Sequence, residues 1–173
     1  MLLAQLEAAK SSSALARLAE PWNTLYSDSK VVSATVVFLH LVPLLIAGGA
    51  ALAADRATIR VTRGTAEDRA RQLVDLGRTH FVVLGGLALS FASGVLLFLS
   101  DVDTFLESPL FWIKLGLVGL LLVNGFVMTR TERTLHGRGD DAALWGRMRT
   151  ISMMSLTLWL ATTLAGVVLM SFA

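Results

Sequence analysis

Four long apolar segments, separated by short charged stretches, constrain this chain more than any other feature of its sequence. They cover residues 31–54, 79–100, 109–129 and 150–172, and Lys114 is the one formally charged residue inside them. About 20 helical residues cross a hydrocarbon core, and helices satisfy their own backbone hydrogen bonds there. The sequence therefore predicts an all-α protein, an integral membrane four-helix bundle with short amphipathic surface helices.

The distribution of basic residues predicts the orientation of these segments. Six arginines lie in residues 55–78 and five in residues 130–149, whereas residues 101–108 hold none. Because cytoplasmic loops carry an excess of Lys and Arg, both basic stretches are expected in the cytoplasm. This predicts a multi-pass protein of the bacterial inner membrane with both termini periplasmic. Residues 1–30 are predicted to form a periplasmic amphipathic tail, and residues 31–173 the four-span domain.

The first basic stretch also carries a helix-start signal. Thr65, followed three residues later by Asp68, is typical of a capping box. The apolar residues that follow, and Gly77 as a stop, predict a short helix on the membrane surface.

Composition excludes several kinds of chemistry. The chain has no cysteine, which excludes disulfides, thiolate metal sites, iron–sulfur clusters and covalently attached c-type haem. A net charge of +2 gives no electrostatic footprint for nucleic acid. No phosphate-binding loop and no metal-ligand cluster is found, so no metal site is predicted. No catalytic residue is predicted either; this favours a non-catalytic role, although enzymatic activity stays open.

Two ionisable residues within the apolar segments are candidate cofactor ligands. At 1.5 Å per residue, His40 lies about 14 Å and Lys114 about 7 Å from the same end of the bundle. Ionisable residues inside a membrane are functional candidates. His40 could equally hydrogen-bond to a neighbouring helix, and Lys114 could extend to the interface. His80 and His136 lie towards the opposite end, so no second histidine is available for a bis-histidine haem.

A stripe of small residues marks the second apolar segment. Gly86, Ser90 and Gly94 recur every four residues and so lie on one helix face. Such stripes allow close helix packing in membranes. Two alternatives follow: these residues pack inside the bundle, or they dock against a helix of another protein.

Two stretches resemble known families. One is the first segment, in which His40 precedes small residues and the sequence DRATIR; the other is SGVLLFLSDVDTFLESPLFWIKLGLVGLLLVNG, residues 93–125. Together they resemble uncharacterised bacterial four-helix membrane proteins, distantly similar to the copper-resistance D-type and haem-containing protoporphyrinogen oxidase membrane families. The oxidase family has a first-helix histidine and a later lysine, which His40 and Lys114 match. The resemblance implies a four-helix fold and haem b as a cofactor.

Three functions remain as alternatives. The first is a non-catalytic accessory or structural subunit that packs against a larger inner-membrane, energy-transducing complex, with lipid and other membrane subunits as partners and no nucleic acid. The second is a b-type haem-binding redox protein that uses His40. The third is a small transporter component, which is disfavoured because the four segments contain no carboxylate.

Overall fold

The computed structural model describes residues 14–138 and 140–172, and its regular elements are all helices. Their bounds are α1 Ala14–Asp28, α2 Lys30–Val61, α3 Ala66–Ser100, α4 Val102–Glu107, α5 Pro109–Arg138 and α6 Ala142–Phe172. Helices α2, α3, α5 and α6 are long and apolar enough to cross a membrane. The predicted all-α fold with four spans is confirmed, and the chain has the architecture of a multi-pass membrane protein.

The helices extend well beyond the apolar segments that predicted them. Helix α2 continues past residue 54 to Val61, and α5 continues past residue 129 to Arg138. Hydropathy marks only the stretch suited to lipid, whereas a helix continues for as long as its polar residues find partners or water. The extensions form a bundle end of their own, which we call the basic-loop end because it carries both arginine-rich stretches.

The start of α3 confirms the predicted capping box. The Thr65 hydroxyl accepts a hydrogen bond from the Asp68 backbone N–H at 3.2 Å, and Asp68 Oδ2 accepts one from the Thr65 N–H at 3.0 Å. The predicted stop at Gly77 is wrong, because α3 runs through this residue into its span. A glycine inside a helix costs only about 1 kcal/mol, and the neighbouring Leu76 is buried in the core.

The spans pack in the order α3, α2, α6, α5. Helix α2 packs against α3 and α6, and α6 packs against α5, but α5 makes no extensive contact with α2 or α3. One core cluster lies at the basic-loop end and contains Leu76, Met128, Leu135, Trp145, Met148 and Ile151. A second cluster joins Ala47, Ala51, Leu121 and Trp159 nearer the middle of the bundle.

Two shorter helices lie at the opposite end, which we call the α4 end. Helix α1 contacts α3 through the Trp22 indole, which donates a hydrogen bond to the Leu96 carbonyl at 2.8 Å. Helix α4 buries Val102. Of the predicted tail, residues 1–13 lie outside the described part of the chain; the remainder is helical and packs against its own bundle.

Candidate functional site

The small-residue stripe of α3 lies in the contact with α2. A Cβ added at Gly86 would lie 2.7 Å from the Pro43 carbonyl oxygen and 2.8 Å from Ala47 Cβ. The Ser90 hydroxyl donates to the His40 carbonyl at 3.1 Å. A Cβ at Gly94 would lie 3.2 Å from His40 Cε1. Of the two alternatives for this stripe, the structure shows the face that carries it occupied by the chain's own helix.

The His40 ring is fixed by the backbone of α3. Its Nδ1 lies 2.9 Å from the Ser90 carbonyl oxygen. A carbonyl oxygen only accepts hydrogen bonds, so Nδ1 carries a proton and donates it. In the neutral ring, the second nitrogen, Nε2, then keeps its lone pair, and it makes no hydrogen bond to any described residue. The ring is half-buried, and one of its nitrogens has no hydrogen-bond partner among the described residues.

Two serine hydroxyls complete the wall behind this ring. Ser90 Oγ and Ser93 Oγ each lie 3.4 Å from His40 Nδ1. Both hydroxyls also have backbone carbonyls as acceptors, for example that of Leu89 at 2.9 Å from Ser93 Oγ. The sequence predicts, as one alternative, a hydrogen bond from His40 to a neighbouring helix, and the shortest such contact is to a backbone carbonyl. The serines therefore reinforce one ring orientation.

Lys114 enters the same half of the bundle from α5. A Cβ added at Gly166 of α6 would lie 3.7 Å from Lys114 Nζ. The lysine is half-buried, and its charge interacts electrostatically with His40. The two predicted ligands therefore approach the same region at the α4 end from different helices. Helix α5, which carries Lys114, does not pack extensively against α2 or α3.

A second polar site lies at the basic-loop end, where sequence analysis placed no site. Asp55 of α2 and Glu132 of α5 are only 2% and 6% exposed. His80 Nδ1 of α3 lies 3.0 Å from Glu132 Oε2, so this contact bridges two helices that otherwise scarcely meet. The four apolar segments themselves contain no carboxylate, as the sequence indicates, but α2 and α5 continue past these segments and bring Asp55 and Glu132 into the bundle.

Asp55 faces α6 within this second site. Its carboxylate lies beside the hydroxyls of Ser152 and Ser155, and it interacts electrostatically with His80. Several buried atoms of these helices make no hydrogen bond of ordinary geometry: Asp55 Oδ2, His80 Nε2, Glu132 Oε2, Arg149 Nε and Ser152 Oγ. Buried polar groups in proteins are rarely left unpaired, so such a cluster calls for an explanation.

The sequence contains a signal for this site. Pro43, Ala47, Ala51 and Asp55 are spaced four residues apart and are all buried, so Asp55 continues the buried stripe of α2. On α5, Glu132 likewise follows the buried Met128 by four residues. Helical periodicity carried past the apolar segments would have placed both carboxylates inside the bundle.

The fold and these two sites define an α-helical, multi-pass membrane protein with a polar site buried at each end of its bundle. Comparisons of the chain with family models, with curated proteins and with solved structures find no match. The function must therefore be argued from the residues of this chain.

Proposed function

We propose that the chain is a b-type haem-binding membrane protein in which His40 would bind the haem iron. One observation carries the proposal: the Ser90 carbonyl holds the proton on Nδ1 and leaves Nε2 with a lone pair. Neutral imidazole is the commonest metal ligand in proteins. Ligating histidines almost always donate their other N–H to a carbonyl, a carboxylate or water, which is the arrangement around His40.

Two further observations support a haem at His40. Helices α2 and α5 do not pack extensively against each other, and Lys114 extends from α5 into the half of the bundle that contains His40. Gly94 lies against the imidazole, where a Cβ would crowd Cε1 at 3.2 Å, so glycine lets the ring stay in this position. Lys114, which the family resemblance pairs with His40, would supply its amine as a second ligand once it is deprotonated. A bound haem would supply one-electron chemistry.

The test is a visible absorption spectrum of the gently solubilised protein, oxidised and then reduced with dithionite. We expect a b-type haem signal that His40→Ala reduces at least tenfold per mole of protein. His136→Ala, which removes an exposed histidine, is the matched control and should keep the signal. A wild-type protein that takes up no haem, even when haemin is added, would refute the proposal. So would equal haem content in both variants.

A second candidate function is an accessory or structural subunit of a larger inner-membrane complex. Its support is the low burial of two of the spans. Only 11% of the apolar membrane-spanning stretch is buried in α3 and in α5, against 28% in α2 and in α6. Exposed aromatic side chains such as Phe81 and Phe91 cover the outside of α3. Stoichiometric partner bands after purification in mild detergent would support this role, and a lone chain without haem would contradict both candidates.

The proposed location is the bacterial inner membrane with both termini periplasmic. It is supported by the position of both arginine-rich stretches at the basic-loop end, where Arg69 Nε also donates to Asp140 Oδ1 at 2.6 Å across the two loops. Loops that share one end of the bundle and carry most of the arginines follow the positive-inside rule.

A further inference from the structure

The polar site at the basic-loop end holds a carboxylate with no cationic side chain bound to it. Asp55 is 2% exposed and forms no ion pair with another described residue. Glu132 already pairs with His80, and Arg149, on the adjacent turn of α6, makes no salt bridge to Asp55 within the described chain. Burying an unpaired carboxylate is costly, so a cation or a proton must neutralise it.

The groups next to Asp55 carry oxygen atoms of the kind that bind a cation. The hydroxyls of Ser152 and Ser155 lie beside the carboxylate, and Ser152 is fully buried. Ser152 Oγ and Asp55 Oδ2 both lack a hydrogen bond of ordinary geometry. Helices α2 and α6 thus bring a carboxylate and two hydroxyls, which are hard oxygen ligands, next to each other inside the bundle.

We propose that Asp55, Ser152 and Ser155 form a binding site for one small monovalent cation, either Na⁺ or a proton carried on water. A single carboxylate matches a single positive charge. Transition metals are disfavoured, because the described residues contain no group of three His, Asp or Glu side chains placed to hold a metal ion. This site goes beyond the proposed haem function and does not rest on it, since His40 lies at the opposite end of the bundle.

Charged and titratable groups surround the site on every packed helix. His80 of α3 interacts with Asp55, Glu132 of α5 pairs with His80, and Arg149 lies on α6. On α2 itself the neighbouring Arg56 is exposed. The experiment must therefore separate Asp55 from these groups.

The experiment measures thermal unfolding of the full chain in lipid nanodiscs. Stability is recorded from pH 5 to pH 9 in NaCl or choline chloride at constant ionic strength, together with binding of radioactive Na⁺. If the cation is Na⁺, the wild type is stabilised by NaCl over choline and binds the isotope. If it is a proton, the wild type loses stability as the pH rises, whichever salt is present.

Three variants decide between these results. Asp55→Asn keeps the shape of the side chain but removes its charge. It should abolish the dependence of stability on Na⁺ or on pH, whichever of the two the wild type shows. Ser152→Ala keeps the charge and should weaken cation affinity about tenfold, as expected when one hydrogen-bonding ligand of a charged group is lost. Asp75→Asn neutralises an exposed carboxylate of α3 and should behave as wild type. The proposal is overturned if Asp55→Asn and the wild type respond identically to Na⁺ and to pH.

Discussion

The close contact between α2 and α3 gives the sharpest prediction, because two neighbouring glycines provide their own control. Replacing Gly86 by alanine would place a Cβ 2.8 Å from Ala47 Cβ and 2.7 Å from the Pro43 carbonyl oxygen. Carbon atoms pack at about 3.5–4.0 Å, so the helices would have to separate by about 0.7 Å or more. Neither neighbour is a flexible side-chain end, so the strain cannot relax locally.

We expect Gly86→Ala to be about 1–3 kcal/mol less stable than Gly85→Ala, the usual cost of overpacking a well-packed contact. A Cβ at Gly85 meets nothing within 4 Å. Alanine favours the helical conformation over glycine at both positions. The difference in stability between Gly86→Ala and Gly85→Ala therefore reports the contact of position 86 with α2. The assay is reversible unfolding in mixed micelles, followed by far-ultraviolet circular dichroism.

The same pair of variants reports on the His40 site. Separating α2 from α3 should lengthen the 2.9 Å contact between His40 Nδ1 and the Ser90 carbonyl, which lies one helical turn from Gly86. Gly86→Ala should therefore also lower haem occupancy, whereas Gly85→Ala should not. If the two variants unfold at the same denaturant concentration, the close approach described here does not exist in solution.

Three further predictions concern the N-cap of α3, the packing of α1 against α3 and the orientation in the membrane. Thr65→Ala should cost about 1 kcal/mol of stability by removing the N-cap of α3, measured by chemical unfolding. Trp22→Phe removes the hydrogen bond to the Leu96 carbonyl, worth about 1 kcal/mol, and should speed amide hydrogen exchange within α1. Since the chain has no cysteine, Ser27→Cys and Gly137→Cys can each be labelled alone in spheroplasts by an impermeant maleimide. Only Ser27→Cys should react, and the reverse pattern would invert the proposed orientation.

The four spans and the two ligand candidates could be found from the sequence because each stands out in a single property. Long apolar runs identify spans, and an ionisable residue inside such a run, such as His40 or Lys114, is conspicuous. The capping box at Thr65 is equally local, since its two partners are three residues apart. These features require no knowledge of which helices become neighbours.

The proposed cation site and the position of the proton on His40 could not be predicted from a single local property of the sequence. Asp55 follows the first apolar segment directly and so resembles a loop residue, although α6 buries it in the folded chain. The proton on His40 Nδ1 is fixed by the Ser90 carbonyl, a backbone atom that every residue type possesses. The burial of Asp55 shows in the sequence only as the four-residue periodicity of α2, and the proton on His40 depends on how two helices meet, which hydropathy does not encode.

Helix α2 connects the two sites and explains why they should be separable. His40 faces α3, through the Ser90 carbonyl and Gly94, whereas the Asp55 carboxylate faces Ser152 and Ser155 of α6. Asp55 follows His40 by fifteen positions, which correspond to about 22 Å along the helix. Variants this far apart, with no shared partner, usually have additive effects. Loss of haem in His40→Ala should therefore leave the cation response intact, and Asp55→Asn should leave the haem spectrum unchanged.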